Sequence, residues 1–156
     1  MNHHDAIREE PAEHLRFAAY VHELQQVTDA EEAGLISAVL ADPDRTMAQS
    51  AVLRHLDRRA TDLHLGPAYE RWAESMAQAT LRHPFLARRL QEWTLFRAIT
   101  LRQSWRPDAL LASSDWLQRK AAAASNADAL EILAERGRTK RIRHTARAGL
   151  KHRRSR

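Results

Sequence analysis

The chain has 156 residues, 44% of them hydrophobic, with 25 Lys or Arg, 20 Asp or Glu, nine His and no Cys. That is enough for one domain with a sizeable core, and it excludes wholesale disorder, disulfides, thiol catalysis and cysteine-based zinc or iron–sulfur sites. No apolar run nears the roughly 20 residues that cross a bilayer, and the polar residues 1–10 lack the apolar stretch of a signal peptide, so a cytoplasmic location is expected.

Only four Gly and five Pro occur, while Ala, Leu, Arg and Glu are abundant. These residues lose little rotamer freedom in a helix, and no long stretch alternates apolar with polar, so an all-α fold is expected. In chain order, Pro11 suits a first helical position, followed by Phe17, Tyr20, Val21, Leu24 and Val27 at helical spacing. Thr28 with Glu31 has the form of a capping box for a helix carrying Leu35, Ile36, Val39 and Leu40. Asp42-Pro43-Asp44 breaks that helix, and Asp44 can cap the next, with Met47, Ala48, Ala51, Val52 and Leu56 inward. Pro67 can open a fourth helix through Tyr69, Trp72, Ala73 and Met76. A fifth, over about 85–103, aligns Leu86, Leu90, Trp93 and Arg97 beside Leu95, Phe96 and Ile99, the broadest apolar surface in the chain.

After Arg106-Pro107 a short turn of helix covers 108–112. Ser114 then caps a helix through Trp116, Leu117 and the alanines 121–124. Another begins at Asn126 or Ala127 and is stopped by Gly137 in the manner of a left-handed C-terminal glycine. The last runs over about 139–151, with a frayed end. Eight or nine short helices with brief connections favour stacked helical hairpins over a four-helix bundle.

The stretch from Leu40 to Leu56, an Asp-Pro-Asp turn followed by a helix with Ala51, resembles the junction of a HEAT repeat. Arg119 with Ala122 echoes its second helix. Arg143, Ala146 and Leu150 give the R-x-x-A-x-x-x-L spacing in full. The resemblance implies a HEAT-like α-solenoid, with small residues such as Ala51, Ala87, Ala122 and Ala146 where helices cross closely. An irregular orthogonal helical bundle is the alternative.

No metal, cofactor or catalysis is expected. The histidines form no H-x-x-x-H or H-E-x-x-H spacing, and no phosphate loop or G-x-S-x-G occurs. The carboxylates gather at helix starts, Asp29, Glu31 and Glu32 among them, where they complement the helix dipole. HEAT-like folds include DNA glycosylases that depend on aromatic residues and an acid. Trp93 or Trp105 with a nearby Asp fits that arrangement, but core aromatics fit the spacing better.

The informative feature is the ending. Residues 138–156 hold nine of the 25 basic residues and no acid, which leaves 16 against 20 in residues 1–137, a balance of −4. The chain therefore divides into a mildly acidic helical body, 1–137, and a basic C-terminal helix and tail, 138–156, expected to pack on the same domain. On a helix, Lys140, Arg143, Arg147, Lys151 and Arg154 make a stripe opposite Ile142, Ala146 and Leu150. Arg138, Arg141, Arg153 and Arg156 add charge beside it. Such a stripe matches a phosphate backbone, whose released counterions drive binding. The expected partner is DNA or RNA, with an acidic protein bound by an adaptor as the alternative. A solubilising end cap is the plainest reading, although a cap normally mixes charge signs. A membrane surface fits poorly, because the opposite face is small and lacks aromatic anchors.

Overall fold

A computed structural model of the chain describes residues 3–155, and side chains from residue 12 to residue 155. The protein is all-α. Among the described residues the helices are α1 His3–Gln26, α2 Asp29–Leu40, α3 Arg45–Leu63, α4 Tyr69–Ala79, α5 Pro84–Thr100, α6 Pro107–Ala112, α7 Asp115–Ala122, α8 Ala127–Arg136 and α9 Lys140–Arg154. The chain forms two compact units, the first ending at Leu90 and the second beginning at Gln91, within α5.

In the first unit α1 and α2 pack on α3, and α4 packs on α2. The inward positions follow the apolar period: Ile36 and Val39 from α2, Ala51, Val52 and Leu56 from α3, and Tyr69, Trp72 and Met76 from α4 are buried. Ala73 and Ala87 are only half-buried. The Asp-Pro-Asp turn is fastened to α1. Asp42 Oδ2 accepts from Tyr20 Oη at 2.7 Å and from Arg16 Nε at 3.1 Å, and its Oδ1 accepts from the Asp44 amide at 2.9 Å. These donors, Tyr20 first, hold the Asp42 carboxyl below the usual carboxylate range.

Glu32 precedes Ile36 by one turn and Val39 by two on the same face of α2, and it is buried with them. Its Oε2 accepts from His55 Nε2 at 2.6 Å, from Arg59 Nε at 3.0 Å and from Trp72 Nε1 at 3.1 Å. Arg59 Nη2 donates to Oε1 at 3.2 Å and to Asp29 at 2.9 Å. On the far side of the imidazole, His55 Nδ1 faces Arg58 Nη2 at 3.0 Å. A guanidinium can only donate, so Nδ1 accepts and the ring proton sits on Nε2, toward the carboxylate. Burial pushes the Glu32 carboxyl up, but the bonds from His55, Arg59 and Trp72 outweigh it and hold the carboxyl at about 2.

In the second unit α9 packs on α8 and α7, and α8 packs on α6 and α7. Ala121, Ala122, Ala129, Leu130, Leu133, Ile142 and Ala146 form a shared core with Ile99 and Leu110. Lys120 turns inward, its Nζ 4.8 Å from the Trp93 ring centre and 4.9 Å from that of Phe96.

Side-chain caps form at Asp44, Ser114, Asn126 and Thr139, each accepting from an amide three residues on at 3.1–3.3 Å. Four expectations need correction. The Thr28 side chain makes no cap bond; its backbone carbonyl accepts from the Glu31 amide instead. The first helix starts upstream of Pro11, carried through the proline by good helix formers such as Glu9, Glu10 and Ala12. At the other end of the chain the helix continues to Arg154, beyond the expected frayed end.

Gly137 has φ −54° and ψ 145°, not the left-handed conformation. Close approach is what requires glycine there. A Cβ would lie 2.5 Å from the Leu133 carbonyl oxygen and 2.8 Å from Ile142 Cγ2. Gly137→Ala is expected to cost about 1–3 kcal/mol by overpacking, seen as a lower midpoint in urea; an unchanged midpoint contradicts the contact.

The left-handed C-terminal residue is instead Arg102, at φ 57° after α5. The Gln103 amide reaches back to the Ala98 carbonyl at 2.9 Å, which ends the helix in a Schellman motif. This conformation crowds any Cβ, so Arg102→Gly is expected to raise stability by about 1 kcal/mol; a fall in the urea midpoint contradicts it.

Candidate nucleic-acid interface

Helix α9 is held from one side. Thr139 Oγ1 accepts from the Ile142 amide at 3.1 Å and starts the helix. Ile142 and Ala146 are fully buried, and Gly149 and Leu150 are half-buried. A Cβ at Gly149 would sit 3.3 Å from Leu130, so the missing side chain lets α9 lie close on α8. A turn of about 100° per residue then aims Lys140, His144, Arg147 and Lys151 directly away from the core. All four are exposed. Lys140 and Lys151 stand about 16 Å apart along the axis at the helical rise.

The nine basic residues of the tail separate into two groups. Lys140, Arg141, Arg147, Lys151 and Arg154 are exposed, and among the described residues none of them meets a carboxylate. Three others are tied into the fold. The Arg138 amide donates to Gln118 Oε1 at 2.9 Å, while its guanidinium reaches the Ser113 carbonyl at 2.5 Å and Asp115 Oδ1 at 3.2 Å. Arg143 Nη1 donates to the Gly137 carbonyl at 2.9 Å, which draws this member of the stripe toward the flank. Arg153 Nη1 donates to the Ser125 carbonyl. Arg156 lies outside the described residues. The structure therefore gathers four of the five stripe cations on the outer side, with His144 between them, and turns the fifth to a structural bond.

The tie at Arg138 is built by a buried glutamine. Gln118 is 1% exposed; its Nε2 donates to the Leu110 and Leu111 carbonyls, and its Oε1 receives the Arg138 amide. The entry to α9 is thus fixed against α6 and α7, and a rigid helix offers its cations in a set register.

A second feature of this unit escaped the sequence. Two recesses meet at Gln103, Trp105 and Asp128, and the first is also lined by Arg102 and by Arg153 of α9. Trp105 is half-buried and rests on the core of the unit. The pairing of Trp105 with an Asp was visible as an arrangement, but its meeting with α9 depends on the fold. Arg102 carried no local signal beyond its charge.

No family model, curated protein or solved structure matches the chain. Among the described residues no helix is long and apolar enough to cross a membrane.

Proposed function

We propose that this chain is a non-enzymatic, HEAT-like helical protein that binds nucleic acid, mainly along the phosphate backbone, through the outer face of α9. The observation that carries the reading is the set Lys140, Arg141, Arg147, Lys151 and Arg154. These residues are exposed, without a carboxylate partner among the described residues, on a helix anchored by Ile142 and Ala146. A cation whose acidic neighbour is absent keeps its full attraction for phosphate, and neutralising a phosphate releases condensed counterions. Burial of Ala51, Ala122 and Ala146 supports the HEAT-like part of the reading.

The test is a titration of labelled duplex DNA and of RNA by fluorescence anisotropy at two salt concentrations. With four to five phosphate contacts, affinity for duplex is expected to fall about 10²- to 10³-fold between about 50 and about 200 mM salt. Affinity that ignores salt, or no binding at the lower salt, would overturn the reading. A stable complex with an acidic protein that survives high salt would instead favour an adaptor.

A further inference from the structure

We propose that the recess beside α9 binds an unstacked base of a single-stranded nucleic acid, with Trp105 as the stacking platform. The inference rests on the reading of α9 as a phosphate-binding face and makes it specific for strand type. Trp105 is held from behind by the core of the second unit, while recesses open along it. A tryptophan so placed offers a fixed aromatic surface, and every base has a face to stack on it. In a duplex that face is already covered by neighbouring base pairs.

Two cations line the first recess. Arg153 comes from α9, and its bond to the Ser125 carbonyl uses one nitrogen, leaving Nε and Nη2 to donate. Arg102 also lines the recess, in the left-handed position where glycine carries no strain. The arginine therefore costs stability while placing a guanidinium at the recess. Asn126 is held in place by its bonds to the Ile99 carbonyl and from the Ala129 amide, and keeps one N–H and one lone pair. Gln103, Asn126 and Asp128 can meet the hydrogen-bonding edge of a base. Arg154, one residue on from Arg153 and about 100° around α9, is exposed, and it offers a phosphate contact to a strand whose base lies in the recess.

The experiment compares binding of oligo-dT, oligo-U and duplex DNA, each of about 12 nucleotides or base pairs, to the full chain and its variants. Trp105→Ala is expected to weaken single-strand binding about 5- to 150-fold and to leave duplex binding unchanged. Trp105→Phe keeps a stacking surface and is expected to restore most of that loss. It also removes the part of the tryptophan fluorescence quench caused by a base on Trp105. Arg102→Gly is expected to lower single-strand affinity while raising the melting temperature, two changes that a structural role alone would not couple.

Equal losses on duplex and single strand, no loss with Trp105→Ala, or a quench unchanged in Trp105→Phe would each overturn the stacking site while leaving α9 as a phosphate face. No binding of any of the three probes at low salt would remove the α9 reading, and the stacking site with it.

Discussion

Glu32→Ala is expected to destabilise the protein by about 3–5 kcal/mol, the usual cost of stripping one partner from a buried ion pair. The carboxylate is 3% exposed and receives His55, Arg59 and Trp72 at 2.6–3.1 Å. Its removal leaves the Trp72 indole N–H and the His55 Nε2–H without an acceptor in the interior, and each is costly to bury alone. Arg59 would keep only Asp29, which is almost fully exposed and binds it weakly. Against a total stability of about 5–15 kcal/mol the loss is large, and it is read directly as a shift in the urea midpoint. A change under about 0.5 kcal/mol, the range of ordinary surface substitutions, would contradict the network.

The same residue sets the acid response. The Glu32 carboxyl has a folded value of about 2 against 4.5 for the free group. A carboxylate whose folded value is depressed stabilises the native state fully above its unfolded value. That stabilisation, of order 3 kcal/mol, drains away as pH falls from about 5 toward about 2. Asp42, held low by Tyr20, Asp44 and Arg16, adds a slope of the same sign. Glu32→Gln is expected to flatten the stability curve in this window, as followed by urea unfolding at stepped pH. An unchanged slope would contradict the carboxylate's role.

The largest functional effect is expected from Lys140→Gln, Arg147→Gln and Lys151→Gln together: at least about 100-fold weaker binding of duplex DNA at low salt. These side chains point away from the core and make no bond that the fold depends on. Glutamine keeps helix propensity close to that of lysine and arginine, so melting should shift by little. Deleting residues 138–156 would be a poorer experiment. Ile142 and Ala146 are fully buried in the core of the second unit, so deletion confounds lost charge with lost packing.

Helix α9 was legible in the sequence because its signal is local. Charge and apolar period both lie within one helix, and the structure agrees on its register. What the sequence withheld was the fate of individual cations. Arg138, Arg143 and Arg153 find backbone carbonyls of Ser113, Gly137 and Ser125, acceptors that residue type does not reveal. Gly137 was correctly placed as a stop, but its reason is crowding by the Leu133 carbonyl of α8 and by Ile142, which arrives only when α9 folds back.

Glu32 shows the opposite case, a signal present but masked. Its spacing to Ile36 and Val39 puts it on the buried face, yet a carboxylate in the first turn of a helix already has a sufficient electrostatic explanation. Its partners His55, Arg59 and Trp72 are 23, 27 and 40 residues away, so only the packing of α2 on α3 and α4 brings them together. Arg102, and the meeting of Trp105 with α9, escaped for the same reason. The end of α5 and the recess it borders exist only in the folded second unit.

The measurement closest to the central claim is the slope of log affinity against log salt for duplex DNA, taken for the parent chain and the triple glutamine variant. Losing three phosphate contacts should make the slope shallower by about three. Equal slopes in the two proteins, with binding retained, would show that the exposed cations of α9 are not where the phosphates lie.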